Sequence, residues 1–174
     1  SELTDQTERN TMSNKQESAN ELIAENIRLH EKIARSYDQR HNEIYNALEQ
    51  ERLSKSLSDA TDWIGSGGLR SMDYGCGAGN LTSHLVRLGH NVTAADVTPS
   101  FTKITTDLDP AHITPFVLNG SDMHEIESNT FDLIATYSVL HHIPDYLSAI
   151  KEMIRVIKPG GIVYLDHEAS PEHW

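Results

Sequence analysis

The sequence predicts an α/β protein with a doubly wound, mostly parallel sheet preceded by N-terminal helices, and three observations carry the prediction. From residue 69 onward, short aliphatic runs alternate with helical patterns, the order that builds parallel sheets. A glycine-rich run, Gly75-Cys76-Gly77-Ala78-Gly79, sits where the first strand gives way to a helix. Proline or glycine closes most of the crossovers.

Residues 1–17 are polar without apolar periodicity and read as a flexible arm. Residues 18–66 read as N-terminal helices. Ser18 and Glu21 fit a capping box, and Ile23, Ile27, His30, Ala34 and Tyr37 follow on one face. A second helix is expected over about 42–63, with Ile44, Leu48, Leu57, Ala60 and Ile64 apolar, ended by the glycines at 65, 67 and 68. Residues 67–174 then hold five strand candidates, at 69–74, 91–96, 114–118, 131–137 and 161–166. Helices fall between them at 80–88, after Thr98-Pro99, and at 145–157, where Lys158-Pro159-Gly160-Gly161 stops the last. Ile150, Met153, Ile154 and Ile157 form its expected core face. Each crossover should be right-handed. Sheets of this kind usually continue past a fifth strand, so this domain is expected to be incomplete at its C-terminal side, with further strands absent from the chain.

Composition narrows the chemistry. The 174 residues carry 14 Lys+Arg against 26 Asp+Glu, a net charge of −12, and a single cysteine. One cysteine allows no internal disulfide, and the spacing of Cys and His matches no zinc finger, so a cytoplasmic location is expected. No apolar run approaches the ~18–20 residues of a membrane span. The acidity grows along the chain, with 9 basic and 13 acidic residues up to position 70 and 5 and 13 beyond it. Such a surface repels phosphate backbones, so the expected partner is a small molecule and not nucleic acid, and assembly with identical chains stays open.

Three carboxylates at the ends of successive strands organise the site. Asp73 closes on the glycine loop, where a carboxylate is a poor neighbour for pyrophosphate and a good one for an ammonium group. The dinucleotide fingerprint also fails on spacing, because the third glycine counted from Gly75 would stand at Asn80. That argues against an NAD-dependent oxidoreductase. Asp96, 23 residues after Asp73, can accept from both hydroxyls of a ribose, and Asp122, in the Ser121-Asp122-Met123 turn, from an adenine amino group.

The order of these motifs resembles the class I S-adenosylmethionine-dependent methyltransferases. The residues that carry the resemblance are D-x-G-x-G-x-G at 73–79, Asp96, Ser121-Asp122, the run FDLIATYSVLHHIPD at 131–145 and RVIKPGG at 155–161. They span about half the chain and are similar to the small-molecule branch that includes ubiquinone and menaquinone C-methyltransferases. The resemblance implies a Rossmann-like fold and S-adenosyl-L-methionine as cofactor. It also implies roles: Asp73, Gly75, Cys76, Gly77 and Gly79 at the methionine moiety, Asp96 at the ribose, Val97 and Met123 flanking the adenine. Ser121 and Asp122 would lie at its amino group, Tyr137 and Ser138 at the methyl end, and Tyr37 would close over the cofactor.

The expected function is transfer of the sulfonium methyl to a small-molecule acceptor by in-line displacement. The alternative is a cofactor-binding partner or regulatory module without catalysis of its own. His142, and after it His141, are the candidate general bases, since a neutral imidazole accepts a proton near pH 7. No metal site is expected, because adjacent histidines point apart. His84, His90, His112 and His124 read as surface or loop residues, and Cys76 as a small side chain tolerated by tight packing. The stripe from Ile23 to Tyr37 is expected to cover the cofactor cleft as a lid.

Overall fold

A computed structural model describes residues 20, 21, 23, 24, 46–65 and 67–168. Helix α1 (Ala47–Ile64) leads into β1 (Arg70–Tyr74), α2 (Asn80–Arg87), β2 (Asn91–Asp96), α3 (Pro99–Thr106) and β3 (Ile113–Val117). Strand β4 (Phe131–Tyr137), a 3-10 turn (Leu140–His142), α4 (Tyr146–Val156) and β5 (Ile157–Asp166) complete it. The five strands are all parallel, in the order β3-β2-β1-β4-β5. The expected α/β class and doubly wound sheet are therefore present. The capping box at Ser18, most of the N-terminal stripe and Tyr37 lie outside the described residues, while residues 20, 21, 23 and 24 are helical.

Local chemistry explains the boundaries. Asn46 caps α1, its side-chain oxygen accepting from the Glu49 amide at 2.9 Å, and Gly65 closes the helix at φ 122°. Asp145 caps α4 in the same way through Ser148, at 3.1 Å. Proline opens α3, where its missing N–H costs nothing. Strand β5 starts four residues earlier than expected. The pairing with β4 jumps from Phe131↔Ile157 to Leu133↔Ile162, so Lys158-Pro159-Gly160-Gly161 is a bulge within the strand. Gly161 is required there, since a Cβ would lie 2.8 Å from the Asp132 carbonyl oxygen.

Alternation along the strands sends side chains to two cores, one on each face of the sheet. Met72 and Ile134 pack with Met153 and Val156 of α4 on one face. Leu133, Ala135 and Val92 meet Leu53 and Leu57 of α1 and Leu81 and Leu85 of α2 on the other. Two expected core positions fail: Leu48 is 78% and Ile154 62% exposed. Ile154 has the spacing of the core face but falls on its solvent edge, and Ala149, Met153 and Val156 fill the core instead.

Of the histidines expected at the surface or in loops, His84 lies on α2 and His90 in the loop between α2 and β2, and both are buried. His84, on α2, is gripped by Gln50 of α1 at 2.8 Å, and the same glutamine amide donates to Asn80 Oδ1 at 2.9 Å, so α1 is tied to α2 by polar contacts. His90 is 1% exposed. The Thr61 hydroxyl donates to the Leu57 carbonyl at 2.8 Å, so the contact between Thr61 Oγ1 and His90 Nε2 at 3.0 Å requires an Nε2–H. The Nδ1 atom then accepts from the Ser71 hydroxyl. Both ring nitrogens are satisfied by the neutral form, and burial pulls the His90 pKa below its ordinary value.

That depression predicts acid sensitivity. Below about pH 6.5 the unfolded chain takes up a proton at His90 that the native state resists, so stability falls as pH drops through that value. Urea melts at about pH 7.5 and about pH 5.5 should show a smaller loss in His90→Gln than in the parent chain. Equal losses in the two proteins would remove His90 from the pH dependence.

Candidate functional site

The strand order reverses at β1, whose neighbours β2 and β4 are reached by crossovers leading opposite ways, and a cleft opens at the carboxyl ends of these strands. The cleft encloses about 820 Å³, its open mouth included. Tyr74, Gly75 and Gly77 form its floor, Asp96 and Val97 one side, and Tyr137, Ser138 and Val139 the other. Phe101, Leu118 and Gly120 line the β3 end, while His142, Ile143 and Pro144 line the β4 end. Ile23 reaches in from the N-terminal helical residues and lies against Gly120.

The glycine loop is held from below. Gly75, Gly77 and Gly79 all have positive φ, at 81°, 48° and 93°. The amides of Gly75 and Cys76 both donate to the Ala95 carbonyl, at 2.7 and 2.9 Å, and the Thr105 hydroxyl donates to the Gly77 carbonyl at 2.8 Å. Asp96 is 6% exposed and ends β2 between two backbone donors, with Gly77 N–H at 3.1 Å and Thr98 N–H at 2.9 Å. Its carboxylate is thus oriented before any ligand arrives.

Asp73 stands beneath the loop and does not line the cleft. It is 1% exposed, and its Oδ2 accepts from the hydroxyl of Thr82 at 2.6 Å and the amide of Thr82 at 2.9 Å, which fastens the start of α2 to β1. Burial pushes its carboxyl up to about 7 against those two hydrogen bonds, and the charge of Asp96 adds to the rise. Cys76 is likewise buried, and burial holds its thiol well above the ordinary range.

Ser121 and Asp122 lie on an exposed turn. Asp122 accepts from His124 and from Asn119 Nδ2 at 3.2 Å. Met123 is 2% exposed and packs in the core under Leu118. Its backbone is gripped from α4: Glu152 accepts the Met123 amide at 2.9 Å, and Arg155, itself paired with Glu152, donates to the Met123 carbonyl at 2.8 Å and the Ile126 carbonyl at 2.8 Å.

Tyr137 is 8% exposed, with its hydroxyl donating to Glu49 of α1 at 2.7 Å and its ring stacked on His167 at 4.8 Å between centroids. Arg52 binds Glu49 with both ends of its guanidinium, at 2.6 and 2.9 Å, and reaches Asp166 at 2.8 Å. That pairing holds the Glu49 carboxyl down to about 2, against burial and with help from Tyr137.

Of the residues expected at the site, Gly75, Gly77, Asp96, Val97, Tyr137, Ser138 and His142 line the cleft. Asp73, Cys76, Gly79, Ser121, Asp122, Met123 and His141 stand behind or beside it. Tyr37 lies outside the described residues. Sequence reasoning missed Phe101 and Leu118, whose apolar character read as core, and Glu49, which lies 88 residues from Tyr137. No group of three metal-ligating side chains occurs among the described residues.

The methyltransferase-domain family matches residues 72–165, more than half of the chain, and the protein belongs to it. It is a member of the class I S-adenosylmethionine-dependent methyltransferases, the class that its strand order and cleft define. Among curated relatives, the ubiquinone biosynthesis O-methyltransferases of Xanthomonas oryzae pv. oryzae and Xanthomonas campestris pv. campestris are each 33% identical over 101 residues, 56% of this chain and 42% of theirs. The chain therefore spans less than half the length of the curated relatives it matches. Among solved structures, the [4+2]-cyclase SpnF is 25% identical with a TM-score of 0.58, over 66% of this chain and 43% of that one. A methyltransferase of Mesorhizobium loti shares the fold, with a TM-score of 0.55 at 23% identity over 64% and 51% of the two chains.

The packing of the loop predicts a strict glycine. At Gly75 a Cβ would meet Val139 Cγ2 at 2.5 Å on a backbone of φ 81°. Gly75→Ala should cost about 1–3 kcal/mol from left-handed strain and overpacking, measured by denaturant unfolding. A variant as stable as the parent would show that the loop relaxes freely.

Proposed function

We propose that this chain binds S-adenosyl-L-methionine in the cleft and transfers its methyl group to a small-molecule acceptor. The observation that carries the reading is Asp96, a buried carboxylate fixed by two backbone amides at the lip of a cleft whose other walls are mostly apolar side chains and glycine backbone, with Ser138 and His142 at the β4 end. Such a lining suits a ribose diol donating to Asp96, an adenine ring between Val97, Phe101 and Leu118, and a methionine tail over Gly75 and Gly77. Asp73, beneath the loop, fastens the start of α2 to β1 and so holds the glycine loop over which the tail would lie.

Bound there, S-adenosyl-L-methionine would supply an electrophilic sulfonium methyl, its sulfur serving as the leaving group that retains the bonding pair. The protein's part is positioning. Tyr137 and Ser138 border the methyl end, with Tyr137 held from the rear by Glu49. Alignment of this kind contributes roughly 7–11 kcal/mol to such displacements when the attack geometry is near ideal. His142, in the wall of the cleft, takes the proton from the acceptor's hydroxyl as the new bond forms. The names of the Xanthomonas relatives support an oxygen acceptor. Ile23, at the cleft's edge, supports a lid role for the N-terminal helix, which would exclude water.

Binding tests the cofactor first. S-adenosylhomocysteine should raise the melting temperature while NAD and ATP leave it unchanged, and Asp96→Asn should weaken S-adenosylhomocysteine by about 1.5–3 kcal/mol in calorimetry. A shift with NAD and none with S-adenosylhomocysteine would overturn the reading. Once an acceptor is found with labelled methyl donor, His142→Ala should lower kcat by roughly 10²–10⁴ while cofactor affinity holds. Activity within about threefold of the parent would leave positioning as the whole mechanism.

A further inference from the structure

At the end of β5 the chain stays alongside the wall of the cleft. The Asp166 carbonyl accepts from the Ser138 amide at 2.9 Å. Glu168 then accepts from the next three amides, Val139 at 2.9 Å and Leu140 at 3.0 Å through Oε1, and His141 at 3.2 Å through Oε2. Four successive N–H groups leaving β4 are thus taken by two residues at the end of β5 and just past it, Asp166 and Glu168. The Glu168 Oε2 atom also meets His141 Nδ1 at 2.9 Å.

The segment held in this way is the one that shapes the cleft. Ser138, Val139 and His142 line it, and Val139 rests on Gly75 of the glycine loop. The rings of His141 and His142 lie 4.1 Å apart with a tilt of 46°, so the orientation of one constrains the other. Ser138 and His167, at φ 58° and 54°, both hold left-handed backbone, one on each side of the junction. Non-glycine residues stay in that region only where surrounding contacts over-determine them, and here the Glu168 contacts supply that determination.

We infer that Glu168 is a positioning residue, which latches the 138–142 wall, fixes the tautomer of His141 and aims His142 across the cleft. Burial raises the Glu168 carboxyl, and the amides of Leu140 and Val139 together with His141 outweigh it, leaving the group below its ordinary value and ionised. An ionised carboxylate only accepts, so the proton of a neutral His141 sits on Nδ1. A glutamine at 168 keeps the size but offers a single acceptor oxygen and turns an NH2 toward donors. Its amide would donate to His141 Nδ1 and move the ring proton to Nε2. The consequence for methyl transfer rests on the reading of the cleft given above, whereas the latch and the tautomer do not.

Long-range 1H–15N spectra of histidine-labelled protein test this, with His141 assigned from the spectrum of His141→Phe. In the parent chain His141 should carry its proton on Nδ1. In Glu168→Gln that signature should be lost, the His142 signals should shift, and the affinity for S-adenosylhomocysteine should fall about tenfold, as expected for lost hydrogen bonds to a charged group. An Nε2-protonated His141 in the parent, or unchanged His141 and His142 signals in Glu168→Gln, would overturn the inference. Should Glu168→Gln fail to fold, His141→Phe is measured in its place, since it removes the imidazole contact and keeps the three amide bonds. Displaced His142 signals then support the path from Glu168 through the His141 ring to His142, and unmoved ones sink it. A parent chain that ignores S-adenosylhomocysteine would remove the cofactor reading alone, with the histidine spectra still deciding the latch.

Discussion

The reversal of strand order at β1 is the constraint on which the rest of the molecule depends. Crossovers of one hand carry the chain from β1 to β2 and β3 on one side, and a return on the other side brings it to β4 and β5. The connections leaving β1 and β4 must therefore diverge, and a gap between them is unavoidable. Its walls are strand ends whose backbone groups have run out of sheet partners. Those groups need hydrogen bonds from elsewhere, because burying them unpaired is costly. Much of the cleft's architecture answers that need.

Carboxylates supply many of the answers. Asp96 accepts from the amides of Gly77 and Thr98, Glu152 from that of Met123 and Glu168 from those of three residues after β4, while Asp73 takes the amide of Thr82 in the first turn of α2. A net charge of −12 looks like a property of the surface. Here part of it is internal, with acidic side chains serving as acceptors for loop amides that no strand reaches. A hydrogen bond to a charged acceptor is stronger than a neutral one, so loops anchored this way are stiff.

The elements that sequence described best are those set by local rules. Strands at 91–96 and 131–137 are found with the expected bounds, because buried parallel strands read as uninterrupted apolar runs. The start of β5 was not legible, since Lys158-Pro159-Gly160-Gly161 has the composition of a turn and its role as a bulge depends on Asp132 of the neighbouring strand. His84 and His90 were misread for a related reason. A polar side chain counts as exposed until partners are known, and Gln50, Ser71 and Thr61 are partners from other elements. In the cleft, the glycine loop and Asp96 follow from their spacing after β1 and β2. Glu49 and Glu168 do not, because nothing in a sequence marks residues that meet 88 and 27 positions away.

The hold of α4 on the segment after β3 bears on how such a protein can change. Glu152 and Arg155 grip the peptide groups of Met123 and Ile126, and Arg155 adds one side-chain contact, to the Ser128 hydroxyl at 3.4 Å. The path of that segment from Met123 to Ile126 is consequently written in large part in the helix. An exposed position outside that grip and outside the Asn119–Asp122–His124 network, such as Glu125, is freer to be exchanged while the backbone beside the cleft keeps its course. Recognition at that rim can drift through evolution at little cost to folding, with the helix acting as the fixed half of a hinge pin around which chemistry varies.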